Sequence, residues 1–323
     1  MGSPLACTGT RYVATDLAFP EGPVALGDGR LLVGEMATGR VTLIEHDGRK
    51  SVVAETGGGP NGLALGPDGK LYVCNNGGQN WRRENGRLFA LGQSDRYSGG
   101  RIERIDLATG AVEVIYDFGP NGPLRGPNDL VFDRSGGFWF TDMGKRRDRD
   151  MDRGGVYYAT PDGRSIREVI YPLVQPNGIA LSPDEGRLYV AETSTARVWV
   201  FDLHGPGEID PRQIDSRDES QLLIGLPGYQ HFDSMAVDAE GNVCVATMIS
   251  GAITVISPQG RLIEQVAMPD DQTTNICFGG PDLRTAYVTL SGVGAIVALP
   301  WPRPGAPLHF NDTVQSRVKD EKA

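Results

Sequence analysis

One short pattern recurs six times along this chain, and it limits the fold more than any other feature. Pro60-Asn61-Gly62-Leu63-Ala64-Leu65, followed by a Pro67-Asp68-Gly69 turn and Leu71-Tyr72-Val73, returns as Pro127-Asn128-Asp129-Leu130-Val131-Phe132 ahead of Phe138-Trp139-Phe140. It returns again as Pro176-Asn177-Gly178-Ile179-Ala180-Leu181 and as Phe232-Asp233-Ser234-Met235-Ala236-Val237, with weaker copies at Pro20-Glu21-Gly22 and Thr274-Asn275-Ile276. The first aligned position reads Glu21, Asn61, Asn128, Asn177, Asp233, Asn275, at intervals of 40, 67, 49, 56 and 42 residues. A base period near 40 residues is that of a four-stranded propeller blade. Each copy supplies an apolar inner strand, a turn and a second strand. Further strands follow, such as those around the Ala108-Thr109-Gly110 turn. The predicted fold is therefore all-β, a six-bladed β-propeller.

Six blades account for the whole length, so residues 1–323 are expected to form a single domain. The last copy has room for about three strands. The segment 11–16 is expected to complete that blade and so close the ring, because an open blade would leave an unpaired edge. The polar tail from about Arg317, residues 317–323, is expected to fray. Glycine, 44 of 323 residues, supplies the many tight turns that this architecture needs.

Charge and cysteine narrow the function classes. Lys plus Arg number 31 and Asp plus Glu 41, a net charge of −10, which disfavours binding to nucleic acid or to an anionic membrane. No run approaches the roughly 18 apolar residues of a spanning helix, and the start lacks the basic and apolar regions of a secretion signal. A cytoplasmic location is expected. Cys7, Cys74, Cys244 and Cys277 show no C-x-x-C spacing, so buried free thiols are expected rather than disulfides or a cysteine zinc site. No Gly-x-Ser-x-Gly elbow is present, which argues against a covalent serine hydrolase. The glycines at 57–59 and 77–78 read as turns, because no helix follows them to cradle a phosphate. Residues 145–153 alternate in charge and read as a solvated, self-paired loop.

The aligned positions must converge on the propeller axis. Glu21 and Asp233 bring two carboxylates there, and Asn128 and Asn177 bring neutral carbonyl oxygens. Such hard oxygen donors suit one hard divalent cation. Calcium is the expected ion, with Mn2+, Mg2+ and Fe2+ as alternatives, whereas zinc or copper would call on His or Cys. Each asparagine taken alone also reads as an Asx-turn residue. Glu at the same position does not, and Asn61 and Asn275 fit either reading. The long insertions at 76–100 and 143–154 both follow a second strand, so they should rise over the face that carries the aligned ring.

Four ordered motifs, Phe19-Pro20-Glu21-Gly22-Pro23, Gly126-Pro127-Asn128-Asp129-Leu130, Pro176-Asn177-Gly178-Ile179-Ala180-Leu181-Ser182 and Asp233-Ser234-Met235-Ala236-Val237-Asp238, make the chain resemble the regucalcin/gluconolactonase (senescence marker protein) family of six-bladed lactonases over about residues 15–300. The resemblance implies metal ligation by Glu21, Asn128, Asn177 and Asp233, with Asp233 as the group that manages the proton. It also implies hydrolysis of a small sugar-type lactone. Two departures stand out: Ser234 occupies the place of a glycine, and the arginine that touches substrate in animal members falls at Gly126, with Arg125 one residue away. Asn61, Asn128, Asp142, Glu192, Arg125 and His231 are the expected substrate-binding residues. The calcium-dependent diisopropyl-fluorophosphatases share the same quartet, so phosphotriester hydrolysis is the alternative chemistry. A non-catalytic binding propeller is the third reading. It gains nothing from two carboxylates at its axis. The expected partner is a small lactone, and the sequence does not specify an oligomeric state.

Overall fold

A computed structural model describes residues 9–213 and 219–311. Six antiparallel sheets stand around one axis, a six-bladed β-propeller. Blade 1 is built from Pro20–Ala25, Leu31–Glu35, Arg40–Ile44 and Lys50–Glu55. Blade 2 comprises Pro60–Leu65, Leu71–Asn75, Arg101–Ile105 and Val112–Tyr116. Blade 3 runs through Pro127–Phe132, Phe138–Asp142, Gly154–Ala159 and Ile166–Leu173. Blade 4 follows with Pro176–Leu181, Arg187–Glu192, Arg197–Gly205 and Leu222–Gly225. Blade 5 consists of His231–Val237, Val243–Met248, Ala252–Ile256 and Leu262–Ala267. Blade 6 takes Thr273–Gly279, Thr285–Leu290 and Ala295–Pro300, and its outer strand is Arg11–Ala14 from the other end of the chain. Arg11 pairs opposite Ala298 in that antiparallel contact. The tail expected to fray from Arg317 lies outside the described residues, as does Cys7.

The apolar residues form six cores, one between each pair of neighbouring blades. Leu32, Val41 and Leu43 of blade 1 meet Leu63, Leu71 and Val73 of blade 2. Tyr72 and Cys74 meet Phe138 and Phe140 across the next interface, and Trp139 meets Leu188 and Phe201 across the third. The series ends where Ile296 and Ala14 of blade 6 pack on Leu31 and Val33 of blade 1. A blade is thus covered on both faces, which explains why second strands such as Leu71–Asn75 and Phe138–Asp142 are buried along their whole length. Outer strands such as Lys50–Glu55 and Leu262–Ala267 face solvent and carry the polar residues. Cys74, Cys244 and Cys277 are buried free thiols. Among the described residues no helix is long and apolar enough to cross a membrane.

A repeated clamp holds the inner strands at the ring end. The acceptor that ends a second strand takes backbone N–H groups from the loop entering its own blade. Glu35 accepts from Ala18 N at 2.8 Å, Asn75 from Gly59 N at 2.9 Å, and Glu192 from Val174 N at 2.7 Å. Asp142 accepts from Arg125 N and Gly126 N, each at 2.7 Å, and from Gly144 N at 2.9 Å. These acceptors satisfy loop amides that would otherwise be buried without partners.

The channel is asymmetric. Past the ring, the inner strands line a cavity of about 510 Å³ with Leu63, Leu130, Ile179, Met235 and Ile276. Its far mouth is crossed by residues 304–311, held by Ala306 N on Val237 O at 2.9 Å and by Phe310 edge-on to Phe132.

Candidate active site

Every inner strand carries a β-bulge at its ring residue. The pairing with the second strand slips between Glu21 and Val24, Pro60 and Leu63, Pro127 and Leu130, Pro176 and Ile179, Phe232 and Met235, and Thr273 and Asn275. A bulge turns one side chain out of the pleat. Six of them, repeated by symmetry, turn six polar side chains toward one axis. The strands also approach one another closely there. A Cβ on Gly22, whose φ is +55°, would lie 2.2 Å from Asn61 O, and one on Gly178 would lie 2.7 Å from Asp233 O. At these two positions the close approach leaves no room for a side chain, whereas Asp129, Ser234 and Ile276 stand at the equivalent place in other blades.

Glu21, Asn61, Asn128, Asn177, Asp233 and Asn275 are all buried, Glu21 at 2% and Asp233 at 7% exposure. Glu21 Oε2 accepts from Asn275 Nδ2 at 3.0 Å and from Gly22 N at 3.1 Å. Asn177 Nδ2 donates to Thr193 Oγ1 at 3.1 Å, and Ser234 Oγ lies 3.4 Å from Asn177 Oδ1. The residue that departs from the family's glycine thus contacts a ring amide. Asn128 Nδ2 reaches Met143 Sδ at 3.8 Å, while Asn128 Oδ1 is buried with no hydrogen-bond partner.

The electrostatics are unbalanced. Burial and the neighbouring Glu21 carboxylate push Asp233 well above the usual range, and burial raises Glu21 despite its hydrogen bonds. A third acid joins them. Asp129, missing from the expected set, is buried in the channel beside Ser234 and is raised to about 7 by burial and by Glu21. Its signal in the sequence is a carboxylate at the position that is glycine in the copies at 22, 62 and 178. The charged groups that act on Asp233 are Glu21 and Asp129, both acids. A divalent cation would supply the missing countercharge and use the orphaned Asn128 oxygen, so the residues present fit such an ion. Among the described residues no three His, Cys, Asp or Glu side chains form a metal group by themselves. Any cation here must draw on the asparagine oxygens.

The other expected site residues divide into two groups. Asp142 and Glu192 have their carboxylates on the loop amides of the clamp, and Glu192 Oε2 also accepts from Thr195 Oγ1 at 2.8 Å. Through these bonds the two expected substrate-binding residues also fix the loops that carry the ring. Arg125 and His231 stand at the rim. Arg125 is exposed, with its carbonyl held by Tyr97 OH at 2.6 Å. His231 packs edge-on to Tyr229 at 5.3 Å, and burial and the charge of Arg146 lower its pKa.

The insertions roof this face. Within 76–100, Gln79–Glu84 and Arg87–Gln93 form a hairpin that crosses over blade 1 to blade 6. Leu88 is buried with Phe19 and Met36, Trp81 packs on Phe19 at 4.8 Å, and Leu88 N donates to Gly292 O at 2.9 Å. Arg87 pairs with Asp270 and Asp271. The second insertion joins its base through Gln93 N to Arg146 O at 2.9 Å. The loop 145–153 is partly as its charge pattern predicts, with Arg147 on Asp150 and Asp152. Lys145 departs from it: the side chain is 3% exposed and turned inward.

The propeller matches known proteins along most of its length. The chain is 28% identical to a gluconolactonase from Zymomonas mobilis over 300 residues, 84% of this chain and 76% of the other. It is 30% identical to lactonase drp35 from Staphylococcus haemolyticus over 252 residues, 77% and 69% of the two chains. In fold it resembles a calcium-binding protein, regucalcin, from Agrobacterium tumefaciens, with a TM-score of 0.74, 21% identity and coverage of 95% and 99%. Residues 19–292, which include every ring position, match the model of the SMP-30/gluconolactonase/LRE-like region, and the chain belongs to that family.

Proposed function

We propose that the protein hydrolyses a small hydroxylated lactone of the sugar type, with one divalent cation, calcium by the donor set, held by Glu21, Asn128, Asn177 and Asp233. The relatives named gluconolactonase and lactonase support lactone hydrolysis as the reaction class. The observation that carries the finer reading is the convergence of two buried carboxylates, Asp233 raised by burial and by the Glu21 charge, with an unpartnered Asn128 oxygen, under a channel mouth that the hairpin overhangs.

A bound cation would polarise the lactone carbonyl and offset the charge that develops on its oxygen. The chain supplies the rest. Asp233 is the base that takes the proton of the attacking water, from its place at the edge of the ring. Glu21 is kept in place by Asn275 and Gly22, and Asn177 by Thr193. Asn61 on the ring and Arg125 and His231 at the rim are the residues that would meet the substrate. Bonds to the substrate hydroxyls at those positions would orient the carbonyl toward Asp233. The hairpin limits the water that reaches the site from above.

The test is acid release at constant pH from glucono-1,5-lactone, corrected for spontaneous opening, before and after chelation and after calcium is restored. Turnover that is lost and regained with the ion is the expected result. Metal-independent turnover would overturn the cation's role. No turnover of any lactone, with hydrolysis of phosphotriester probes instead, would overturn the substrate class.

A further inference from the structure

At the base of the hairpin sits a buried amide with one half unused. Asn76 is 3% exposed, and its Oδ1 accepts from Gly78 N at 2.9 Å and from Lys145 Nζ at 3.3 Å. Two donors on one atom determine which way the amide faces, because reversing it would set Nδ2 against an N–H and an ammonium. Nδ2 is thereby directed away, and it is buried with no partner. Such a donor is costly unless something accepts from it. Three residues on, Gln79 Oε1 is likewise buried without a partner.

The amide packs beside the residues that lead into the ring position of blade 2. Asn76 N donates to Gly59 O at 3.0 Å, two residues before Asn61, and Gly59 has no side chain to keep the amide away: a Cβ there would lie 2.6 Å from Asn76 Oδ1. Lys145 comes from the other side. It follows Met143, which touches Asn128, and its Cε would lie 3.6 Å from a Cβ on Gly126, two residues before Asn128. Lys145 Nζ also donates to Gly78 O at 3.1 Å and sits 5.3 Å from the centre of the Tyr97 ring.

We infer that Asn76 is a substrate-binding residue of this site, donating through Nδ2 to a ring hydroxyl of the lactone, and that Lys145 is the positioning residue that orients its amide. This rests on the lactonase reading above. A hydroxyl oxygen is suited to this place, since it accepts from an amide N–H, as the orphaned Asn76 Nδ2 requires.

Two lactones of one ring size separate the hydroxyl contact from the reaction: glucono-1,5-lactone, and δ-valerolactone, which has no hydroxyls. Asn76→Asp keeps the acceptor for Gly78 and Lys145, replaces the donor with an acceptor and adds a negative charge beside the Lys145 ammonium, and thermal melting checks that the fold is retained. Its kcat/KM on gluconolactone is expected to fall about ten- to a hundredfold relative to its kcat/KM on δ-valerolactone. Asn76→Ala should shift that ratio in the same direction. Lys145→Met should raise KM for gluconolactone severalfold and leave kcat unchanged. An unchanged ratio in both Asn76 variants, the result if a fixed water satisfies Nδ2, overturns the inference, as does an equal loss on both lactones. Wild-type protein that opens neither lactone removes the lactonase reading first, and this inference with it.

Discussion

Removing the charge of Glu21 or Asp233 isolates what each carboxylate contributes, because glutamine and asparagine preserve shape and one carbonyl oxygen. The ring would then offer one negative charge instead of two to a divalent ion. Glu21→Gln and Asp233→Asn are expected to weaken calcium at least about a hundredfold in equilibrium dialysis, since each removes a charged ligand from a buried shell. Wild-type affinity in both would show that the ion lies elsewhere. Acid has a related effect. Asp233 and Asp129 are raised by burial and by the acids around them, Asp129 to about 7, so in the metal-free protein the folded state binds more protons than the unfolded chain above the ordinary aspartate range. Stability then falls as pH rises through that window. The melting temperature of metal-free protein should drop between pH 5 and 7, and calcium should flatten the profile. The first ring position was legible in the sequence because it changes among Glu, Asp and Asn while its neighbours repeat. Asp129 was not, because attention to the aligned column misses a carboxylate one residue along. Lys145 was hidden by the alternating charges that follow it, whose pairing says nothing of where their first member turns.

The bulge belongs to the element, and in blade 1 it is paired with a glycine. Gly22 has a positive φ, and a methyl group there would meet the Asn61 carbonyl at 2.2 Å, a backbone atom that cannot move without shifting a strand. Gly22→Ala is expected to cost more than about 2 kcal/mol in denaturant unfolding and to weaken the cation by displacing Glu21. A variant as stable as wild type would show that the strands can part without harm. The hairpin behaves differently, because its tip is joined to the propeller through few groups. Leu88→Ala removes its buried anchor between Phe19 and Met36. Amide exchange over Gln79–Gln93 should accelerate by about tenfold or more while the blade strands keep their protection, since sub-global opening follows local burial. Insertion lengths marked where such an element had to lie. Its path across two blades depends on contacts, Leu88 to Gly292 and Arg87 to Asp270, that no repeat encodes.

At the scale of the whole molecule, stability depends on a closed ring of blades. Each of the six inter-blade cores needs both neighbours, so a defect at one interface is shared around the circle. The repeat made this legible, since six copies of one pattern leave no other way to bury so many alternating strands. The segment 304–311 across the far mouth was not legible, because it carries no repeat and its partners are backbone groups and Phe132. The seam between the ends of the chain is where the ring can be tested. Arg11–Ala14 supplies the outer strand of blade 6, covers Ala295–Pro300, and places Ala14 in the core shared with blade 1. A chain that begins at residue 15 would expose Ala295–Pro300 as a paired-on-one-side edge and remove part of that core. Such an edge recruits a strand from another chain. The truncated protein is expected to melt well below the full chain and to form larger species than the full chain does in size-exclusion chromatography. Adding a peptide of residues 9–16 should restore the elution profile of the full chain and raise the melting temperature in proportion to its occupancy. A truncated protein that elutes and melts with the full chain would show that the remaining three strands of blade 6 hold the ring closed without their partner.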